Sequence, residues 1–260
     1  SKNPAYRVGC CVVNYSGWRE HFISAGADLN IVDPGLAPVQ SYLYVMGLVG
    51  ATAYFGMLDV GKLQPGETVF ISAAAGAVGL IACQVAKIAG CHVIGSCGSD
   101  EKVDYLLNEI GIGAAINYKK VGDIEAAVRK HAPAGIDLYF ENVGGAHADA
   151  ALQLLKDFGR FVGCGQISEY QDEKAAVGPK NFTLVNTKRL RIQGYLIFDY
   201  VDRLPEYVQR MSQWIAEGKI KWRETIREGL ENAPQAFLDM FQGKNIGKMM
   251  VKMGEPENRS

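Results

Sequence analysis

The sequence predicts an α/β protein built on a doubly wound sheet of six parallel strands. Between residues 68 and about 198, short runs of β-forming residues alternate with apolar residues at helical spacing. This alternation is typical of parallel strands joined by right-handed crossovers. Glycine and small polar residues follow four of the runs, and they mark the edge of the sheet at which a ligand approaches the backbone.

The predicted elements follow the chain in order. Six strands are predicted, at Thr68–Ser72, His92–Cys97, Ala115–Tyr118, Ile136–Glu141, Arg160–Cys164 and Arg191–Phe198. Residues 1 to 45 contain short extended segments between turns. The tail contains helical patterns at Leu204–Glu217 and Pro234–Phe241 and a final strand at Lys248–Met253, and we expect it to fold back on the first segment.

The first predicted strand leads into a turn of small residues. Ala74, Gly76 and Gly79 have the i, i+2, i+5 spacing of a phosphate-binding turn, in which small residues permit a tight bend and close approach of a pyrophosphate. Backbone N–H groups at the start of the following helix then face the anion. Because Ala74 replaces the usual first glycine, an ordinary strand-to-helix turn is the alternative, but the strand, turn and helix context favours a dinucleotide.

Composition and motifs exclude several classes of protein. The 260 residues carry a net charge of −1 and include 48% hydrophobic residues, which allows a large core and gives no basic surface for nucleic acid. Six cysteines and four histidines show no metal-ligand spacing, so we predict no metal. The sequence has no apolar run of about 20 residues and no signal-peptide pattern, which predicts a cytoplasmic protein without a membrane span. A serine hydrolase is excluded because Gly-x-Ser-x-Gly is missing.

Motifs distributed along almost the whole chain carry a resemblance to a known family. They are Thr52-Ala53-Tyr54, Ala73-Ala74-Ala75-Gly76-Ala77-Val78-Gly79, Ser99-Asp100-Glu101-Lys102, Asn117-Tyr118, Glu141-Asn142-Val143-Gly144-Gly145, Cys164-Gly165-Gln166-Ile167-Ser168 and Gly243-Lys244-Asn245-Ile246-Gly247-Lys248. Together they resemble the zinc-independent, NADP-dependent branch of the medium-chain dehydrogenase/reductase superfamily that contains prostaglandin reductase, alkenal double-bond reductases and bacterial curcumin reductase.

The resemblance implies a Rossmann dinucleotide-binding domain at residues 47–197 and a GroES-like, β-rich catalytic domain made from both chain ends. Residues 1–46 are part of that second domain, and residues 198–260 return to it. The resemblance also implies a homodimer and NADPH-dependent reduction of the carbon–carbon double bond of a small α,β-unsaturated ketone or aldehyde, with hydride transfer to the β-carbon. Family members are longer at the amino end, so we expect the chain to be truncated there.

The same resemblance assigns cofactor contacts to individual residues. The pyrophosphate is assigned to Gly76, Ala77, Val78 and Gly79, the 2′-phosphate to Lys102, and the adenosine side to Tyr118. Asn142 is assigned to the end of the fourth strand, and Asn245 closes over the cofactor from the tail. The nicotinamide side is assigned to Cys164, Gly165, Gln166, Ile167, Ser168, Tyr170, Tyr195, Leu196 and Ile197. We assign no catalytic acid or base, and Tyr54 is only a candidate.

Alternatives remain open for the cofactor and the reaction. An ammonium at Lys102 suits the 2′-phosphate of NADPH, whereas a carboxylate at Asp100 suits the ribose hydroxyls of NAD. The third alternative is that Lys102 is a solvated surface lysine that does not contact the cofactor. Asn142 before glycine also suits a turn cap, and Tyr118 and Tyr170 suit half-buried packing. Quinone reduction and cofactor binding without turnover are the alternative functions. The segment Asn186-Thr187-Lys188 lacks the tyrosine of the prostaglandin reductases, so we do not predict a prostaglandin substrate.

Overall fold

The computed structural model describes residues 1–170 and 178–254. The strands and α-helices are, in order, β1 (Cys11–Val13), β2 (Asn30–Val32), α1 (Leu48–Phe55), β3 (Thr68–Ile71), α2 (Ala77–Ile88), β4 (His92–Cys97), α3 (Asp100–Asp104), β5 (Ala114–Asn117), α4 (Ile124–His131), β6 (Ile136–Glu141), α5 (Ala146–Leu154), β7 (Leu155–Gly163), α6 (Leu184–Thr187), β8 (Arg191–Gly194), α7 (Leu204–Ala216), β9 (Glu224–Glu228), α8 (Ala233–Phe241) and β10 (Lys248–Lys252). Helices α1 and α3 continue as the π-helical turns Gly56–Val60 and Tyr105–Ile110.

Strands β3 to β8 form one parallel sheet in the order β5-β4-β3-β6-β7-β8. The chain enters this sheet at β3 near its centre and continues outward through β4 to β5. It then crosses back to β6, which lies on the other side of β3. Where the strand order reverses, between β3 and β6, the carboxyl ends of the strands border a crevice. The predicted doubly wound sheet of six parallel strands is therefore confirmed.

Two strand boundaries differ clearly from the prediction. Strand β7 begins at Leu155, five residues before the predicted start at Arg160. Its early part contains an irregularity: the pairing with β6 shifts between Ile136 and Leu138, and Phe158 takes a positive φ of 62°. Such a bulge interrupts the alternation of side chains from which a strand is recognised. Strand β8 ends at Gly194 and not at Phe198, because the chain turns into the 3₁₀ helix Ile197–Arg203.

Apolar side chains cover both faces of this sheet. On one face Phe70 stacks on Tyr139 with ring centroids 5.1 Å apart, and Phe161 packs edge-on to Tyr139 at 5.0 Å. On the other face lies α2, in which every residue from 79 to 86 is buried. Because α2 is held between the sheet and α1, its amino-terminal end is fixed against the carboxyl edge of β3.

The tail contacts several parts of the chain. Helix α7 packs on α1 through Tyr207, whose ring lies 5.5 Å from that of Tyr54, and Trp18 of the first segment contacts Phe237 of α8 at 5.9 Å. Strand β10 pairs in parallel with β9. The division into three segments at residues 46 and 197 stays a prediction. Among the described residues, no helix is long and apolar enough to cross a bilayer.

The packing of α7 predicts a loss of stability for Tyr207→Phe. The Tyr207 hydroxyl donates to the carbonyl oxygen of Val45 inside the core, whereas the Tyr42 hydroxyl makes an exposed bond of 2.8 Å to the carbonyl oxygen of Asp33. We expect Tyr207→Phe to lower the free energy of unfolding by about 1–3 kcal/mol, because the Val45 carbonyl would stay buried without a partner. Tyr42→Phe, the matched control, should change it by less than about 0.5 kcal/mol. Urea denaturation measures both values, and equal losses would contradict the prediction.

Candidate functional site

In the turn between β3 and α2, the first residues of the helix lie against the backbone of Ala73. A Cβ added to Gly79 would overlap the carbonyl oxygen of Ala73 and lie 2.9 Å from its carbonyl carbon, and one added to Gly76 would lie 3.1 Å from the same oxygen. Ala73 takes a positive φ of 47°, which L-residues adopt mainly in tight turns. Gly76 has no side chain to cap the N–H groups of Ala77 and Val78 in the first turn of α2, and such groups suit an anion.

Lys102 lies in α3, directly after β4. The residue is 8% exposed, and its ammonium donates a 2.6 Å hydrogen bond to the carbonyl oxygen of Gly243 in the tail. Burial lowers the pKa of this ammonium, because a buried cation loses its hydration. The alternative of a solvated surface lysine is therefore wrong. A lysine ammonium has three N–H donors, and the contact with Gly243 uses one of them.

Asp100, the alternative ligand for a ribose, is engaged by its neighbours. The amide of Asn117 donates to one carboxylate oxygen at 2.7 Å, and the ammonium of Lys120 pairs with the other. The bond from Lys120, followed by that from Asn117, lowers the pKa of Asp100. Ser99 caps α3 by accepting a hydrogen bond from the backbone N–H of Lys102. These contacts give Asp100 and Ser99 local roles, which favours Lys102 as the ligand.

Tyr118 directly follows β5 at the same edge of the sheet. A Cβ on Gly98, the residue after β4, would lie 3.2 Å from the Tyr118 hydroxyl oxygen. The half-buried Tyr118 ring meets His147 edge-on at a centroid distance of 5.2 Å. Tyr118 thus lies beside Gly98 at the end of β4. Gly98 directly precedes Ser99, the residue that caps α3, and α3 carries Lys102.

Asn142 follows β6 and binds across the crevice to the end of β3. Its backbone N–H donates to the Ser72 hydroxyl at 2.8 Å, and its side-chain amide donates to the Ser72 carbonyl at 2.7 Å. Glu141 accepts a hydrogen bond of 3.0 Å from the same hydroxyl. The side chain of Asn142 therefore connects two strands, unlike a turn cap that bonds to its own turn.

The loop after β7 is bonded to the loop after β6. The backbone N–H groups of Ile167 and Ser168 donate to the carbonyls of Asn142 and Val143, both at 3.1 Å. These bonds bring the segment 164–168 next to Asn142. The two loops are therefore positioned as one unit.

Tyr170 folds back over the start of the same loop. Its hydroxyl accepts a 3.0 Å hydrogen bond from the backbone N–H of Gln166, and a Cβ on Gly165 would lie 3.0 Å from that oxygen. Tyr170 is 65% exposed, so the alternative of half-buried packing is wrong for this residue. Residues 171–177, which follow it, lie outside the described part of the chain.

Cys164 and Tyr195 lie together at the end of β7 and β8. Burial raises the pKa of the Cys164 thiol to about 11, and a hydrogen bond with Tyr195 acts in the opposite direction. The Tyr195 hydroxyl donates to the carbonyl oxygen of Thr52 in α1 at 2.6 Å and fills the space left by Gly56, where a Cβ would overlap it. A raised thiol pKa disfavours the thiolate, so the environment of Cys164 does not favour a nucleophile.

The remaining candidates near α1 lie in different environments. Leu196 is 66% exposed, while Ile197 is half-buried and packs against the core. The hydroxyl of Tyr54, the candidate catalytic residue, donates to Glu206 at 3.4 Å, and its ring packs on Tyr207. Tyr54 thus has structural partners in α7.

The tail reaches the turn from the opposite side of the crevice. The backbone N–H of Gly247 donates to the carbonyl of Ala75 at 2.8 Å, and Gly247 forms a parallel bridge with Gly76. Asn245 is 8% exposed and donates through its amide to the Gly247 carbonyl at 2.7 Å. The tail loop therefore contacts both the turn and, through Gly243, Lys102.

Sequence reasoning assigned no role to Ser72, Glu141 and Gly247, which join these segments. A signal was available for Glu141, because an acidic residue that ends an apolar strand needs buried hydrogen-bond donors. The contacts of Gly247 and Ser72 connect segments far apart in sequence, and no local pattern predicts such partners.

The comparisons with known proteins agree with this arrangement. Residues 77–217 match the family model described as zinc-binding dehydrogenase. The chain is 45% identical to the putative NADP-dependent oxidoreductase YfmJ of Bacillus subtilis (96% of this chain, 74% of the relative) and 42% identical to the NADP⁺-dependent 2-alkenal reductase of Nicotiana tabacum (96% and 73%). The crystal structure of CurA from Vibrio vulnificus in complex with NADPH superimposes with a TM-score of 0.91 at 40% identity, over 96% of this chain and 76% of CurA. This chain belongs to the zinc-independent, NADP-dependent reductases of the medium-chain dehydrogenase/reductase superfamily.

The predicted family is thereby confirmed, and the chain is an NADP-dependent oxidoreductase. It spans about three quarters of the length of these relatives. Within residues 1–170 and 178–254, no cluster of three or more His, Cys, Asp or Glu side chains is placed to hold a metal ion.

The turn geometry predicts that Gly79→Ala weakens cofactor binding. The new Cβ would overlap the Ala73 carbonyl and push α2 away from the turn, so we expect the dissociation constant for NADPH to rise by roughly tenfold or more. Gly122→Ala is the matched control, because a Cβ there meets nothing within 4 Å. Fluorescence titration measures both, and wild-type affinity in Gly79→Ala would contradict the assignment of this turn to the pyrophosphate.

Proposed function

We propose that this protein uses NADPH to reduce the carbon–carbon double bond of a small α,β-unsaturated ketone or aldehyde. Two relatives that are named as NADP-dependent reductases of a 2-alkenal or of curcumin support the proposal. They are the Nicotiana tabacum 2-alkenal reductase and the NADPH-dependent curcumin reductase of Escherichia coli, which is 40% identical over 97% of this chain. Quinone oxidoreductase of Escherichia coli is 24% identical with a TM-score of 0.73, a likeness that concerns the fold alone.

The observation that carries the cofactor part of the proposal is the buried ammonium of Lys102. It lies at the end of β4, bonded to the tail, and Asp100 beside it is occupied by Lys120 and Asn117. An ammonium in this position meets the 2′-phosphate of NADPH, whereas an acidic residue would be expected for NAD. The cramped backbone at Gly79 and Gly76 fits a pyrophosphate, which needs close approach to N–H groups.

In this proposal the residues of the chain bind and orient. NADPH, when bound, supplies the hydride that the β-carbon of the substrate receives. The first turn of α2 holds the pyrophosphate, Lys102 the 2′-phosphate, and Asn142 with the segment 164–168 borders the nicotinamide side. Correct placement of two reactants lowers the barrier without an acid or base from the protein. The proton at the α-carbon then comes from water.

The exposed edge of β8 supports a further proposal, that the protein is a homodimer. Among the described residues β8 pairs with β7 alone, and Ile192 is 41% exposed on this edge. Unpaired strand edges with apolar side chains favour pairing with another chain. The cytoplasmic location stays a prediction.

Lys102→Ala tests the cofactor assignment. We expect it to raise the dissociation constant for NADPH by roughly ten- to a hundredfold, because one charge-assisted hydrogen bond to the 2′-phosphate is lost. The dissociation constant for NADH, which lacks this phosphate, should stay nearly unchanged. Lys120→Ala is the control, because Lys120 follows the neighbouring strand β5 and its ammonium pairs with Asp100. Nicotinamide fluorescence follows binding of both cofactors. An equal loss for NADPH and NADH would show that Lys102 does not contact the 2′-phosphate.

Deuterium labelling tests the reaction. With 4-deuterated NADPH and a 2-alkenal, we expect the product to carry deuterium at its β-carbon, whereas a reaction in D₂O with unlabelled NADPH should place it at the α-carbon. Nuclear magnetic resonance of the saturated product locates the label. Oxidation of NADPH by a quinone and by no enone would favour quinone reduction, and binding without oxidation by either acceptor would favour a protein without turnover.

A further inference from the structure

Glu141 is a buried acidic residue that the proposed reaction does not use. It ends β6 after the apolar residues Leu138, Tyr139 and Phe140, and its exposed fraction is 0%. Burial raises the pKa of its carboxyl group. A carboxyl group in such a position needs hydrogen-bond donors from the protein.

One oxygen of Glu141 collects three donors from two segments of the chain. Its Oε1 accepts hydrogen bonds from the Ser72 hydroxyl at 3.0 Å, the Tyr139 hydroxyl at 2.8 Å and the backbone N–H of Val143 at 2.6 Å. Ser72 is the residue before the turn at Ala73, and Val143 belongs to the loop after β6. Tyr139 lies within the same strand as Glu141, so its bond connects no further loop.

The main chain of Glu141 and the Ser72 hydroxyl extend this network. The Ser72 hydroxyl accepts the backbone N–H of Asn142 at 2.8 Å. The Glu141 carbonyl oxygen accepts the N–H groups of Cys164 and Gly165, both at 3.0 Å. Three loops at the carboxyl edge of the sheet therefore meet at Glu141: the turn after β3, the loop after β6 and the loop after β7.

We propose that Glu141 is a positioning residue, which holds the loops after β6 and β7 in register with the phosphate-binding turn through Ser72 and thereby sets the affinity for NADPH. The part that concerns affinity rests on the proposed function. The coupling of the loops does not, because it concerns contacts within the protein alone.

Ser72→Ala and Tyr139→Phe form a matched pair for the test. Each removes one buried hydroxyl that donates to Oε1 of Glu141, but only the Ser72 hydroxyl connects two loops. We expect a similar decrease in melting temperature for both variants. We expect the NADPH dissociation constant to rise by roughly tenfold or more in Ser72→Ala and by less than about threefold in Tyr139→Phe.

Two substitutions of Glu141 separate its role as acceptor from its volume. Glu141→Gln keeps an acceptor oxygen, and its new amide replaces Oε2, which has no hydrogen-bond partner among the described residues. Glu141→Met has a similar length and no strong acceptor. We expect near-normal NADPH affinity in Glu141→Gln and a loss of roughly tenfold or more in Glu141→Met.

Hydrogen exchange in the cofactor-free protein tests the coupling independently. We expect faster exchange of the amides in 143–145 and 164–168 in Ser72→Ala and Glu141→Met, and wild-type rates in Tyr139→Phe and Glu141→Gln. Equal exchange and equal NADPH affinity in Ser72→Ala and Tyr139→Phe would overturn the inference. If the wild-type protein binds no NADPH, the proposed function fails, and the exchange rates still decide whether Glu141 couples the loops.

Discussion

The contact between α2 and the turn before it sets the position of the other parts of the site. A Cβ at Gly79 would lie 2.9 Å from backbone atoms of both Ala73 and Ala74, so main-chain atoms hold the start of the helix. The same turn is fixed by two further backbone bonds, from Ala74 to the Ser96 carbonyl of β4 and from Gly247 to the Ala75 carbonyl, both 2.8 Å. Since backbone contacts leave little room for rearrangement, the N–H groups at the start of α2 keep one direction relative to β3 and β6.

Burial of polar groups connects the rest of the site to this turn. The ammonium of Lys102 and the carboxyl group of Glu141 are both removed from water, and each has a hydrogen-bond partner in a segment distant in sequence. A buried charged group without a partner costs several kcal/mol. The tail at Gly243 and the end of β3 at Ser72 therefore have an energetic reason to stay where they are. The cofactor groove and the stability of the fold depend on the same contacts.

Much of the fold could be predicted from the sequence, because it depends on local patterns. Strands β4 and β6 have the predicted bounds, since each run of strand-forming residues ends at a turn, at Gly98 after β4 and at Asn142 after β6. The start of β7 was missed because the bulge near Phe158 breaks the alternation. In the site, the spacing of Gly76 and Gly79 is local and was found. The partner of Lys102 lies 141 residues away, and neither its burial nor its bond to Gly243 has a local signal.

The hydrogen bonds of three candidate site residues also bear on the proposed reaction. The hydroxyl of Tyr195 is bonded to Thr52, the amide of Asn142 to Ser72, and the hydroxyl of Tyr54 to Glu206. Side chains that already donate to the protein are suited to fixing loops, and they are poorly suited to delivering a proton to a substrate. Reduction of an activated double bond needs mainly orientation of the cofactor and the substrate, because the activating carbonyl group stabilises the charge that hydride transfer creates. A rigid groove whose polar groups hold one another in place is therefore consistent with a reductase that takes its proton from water.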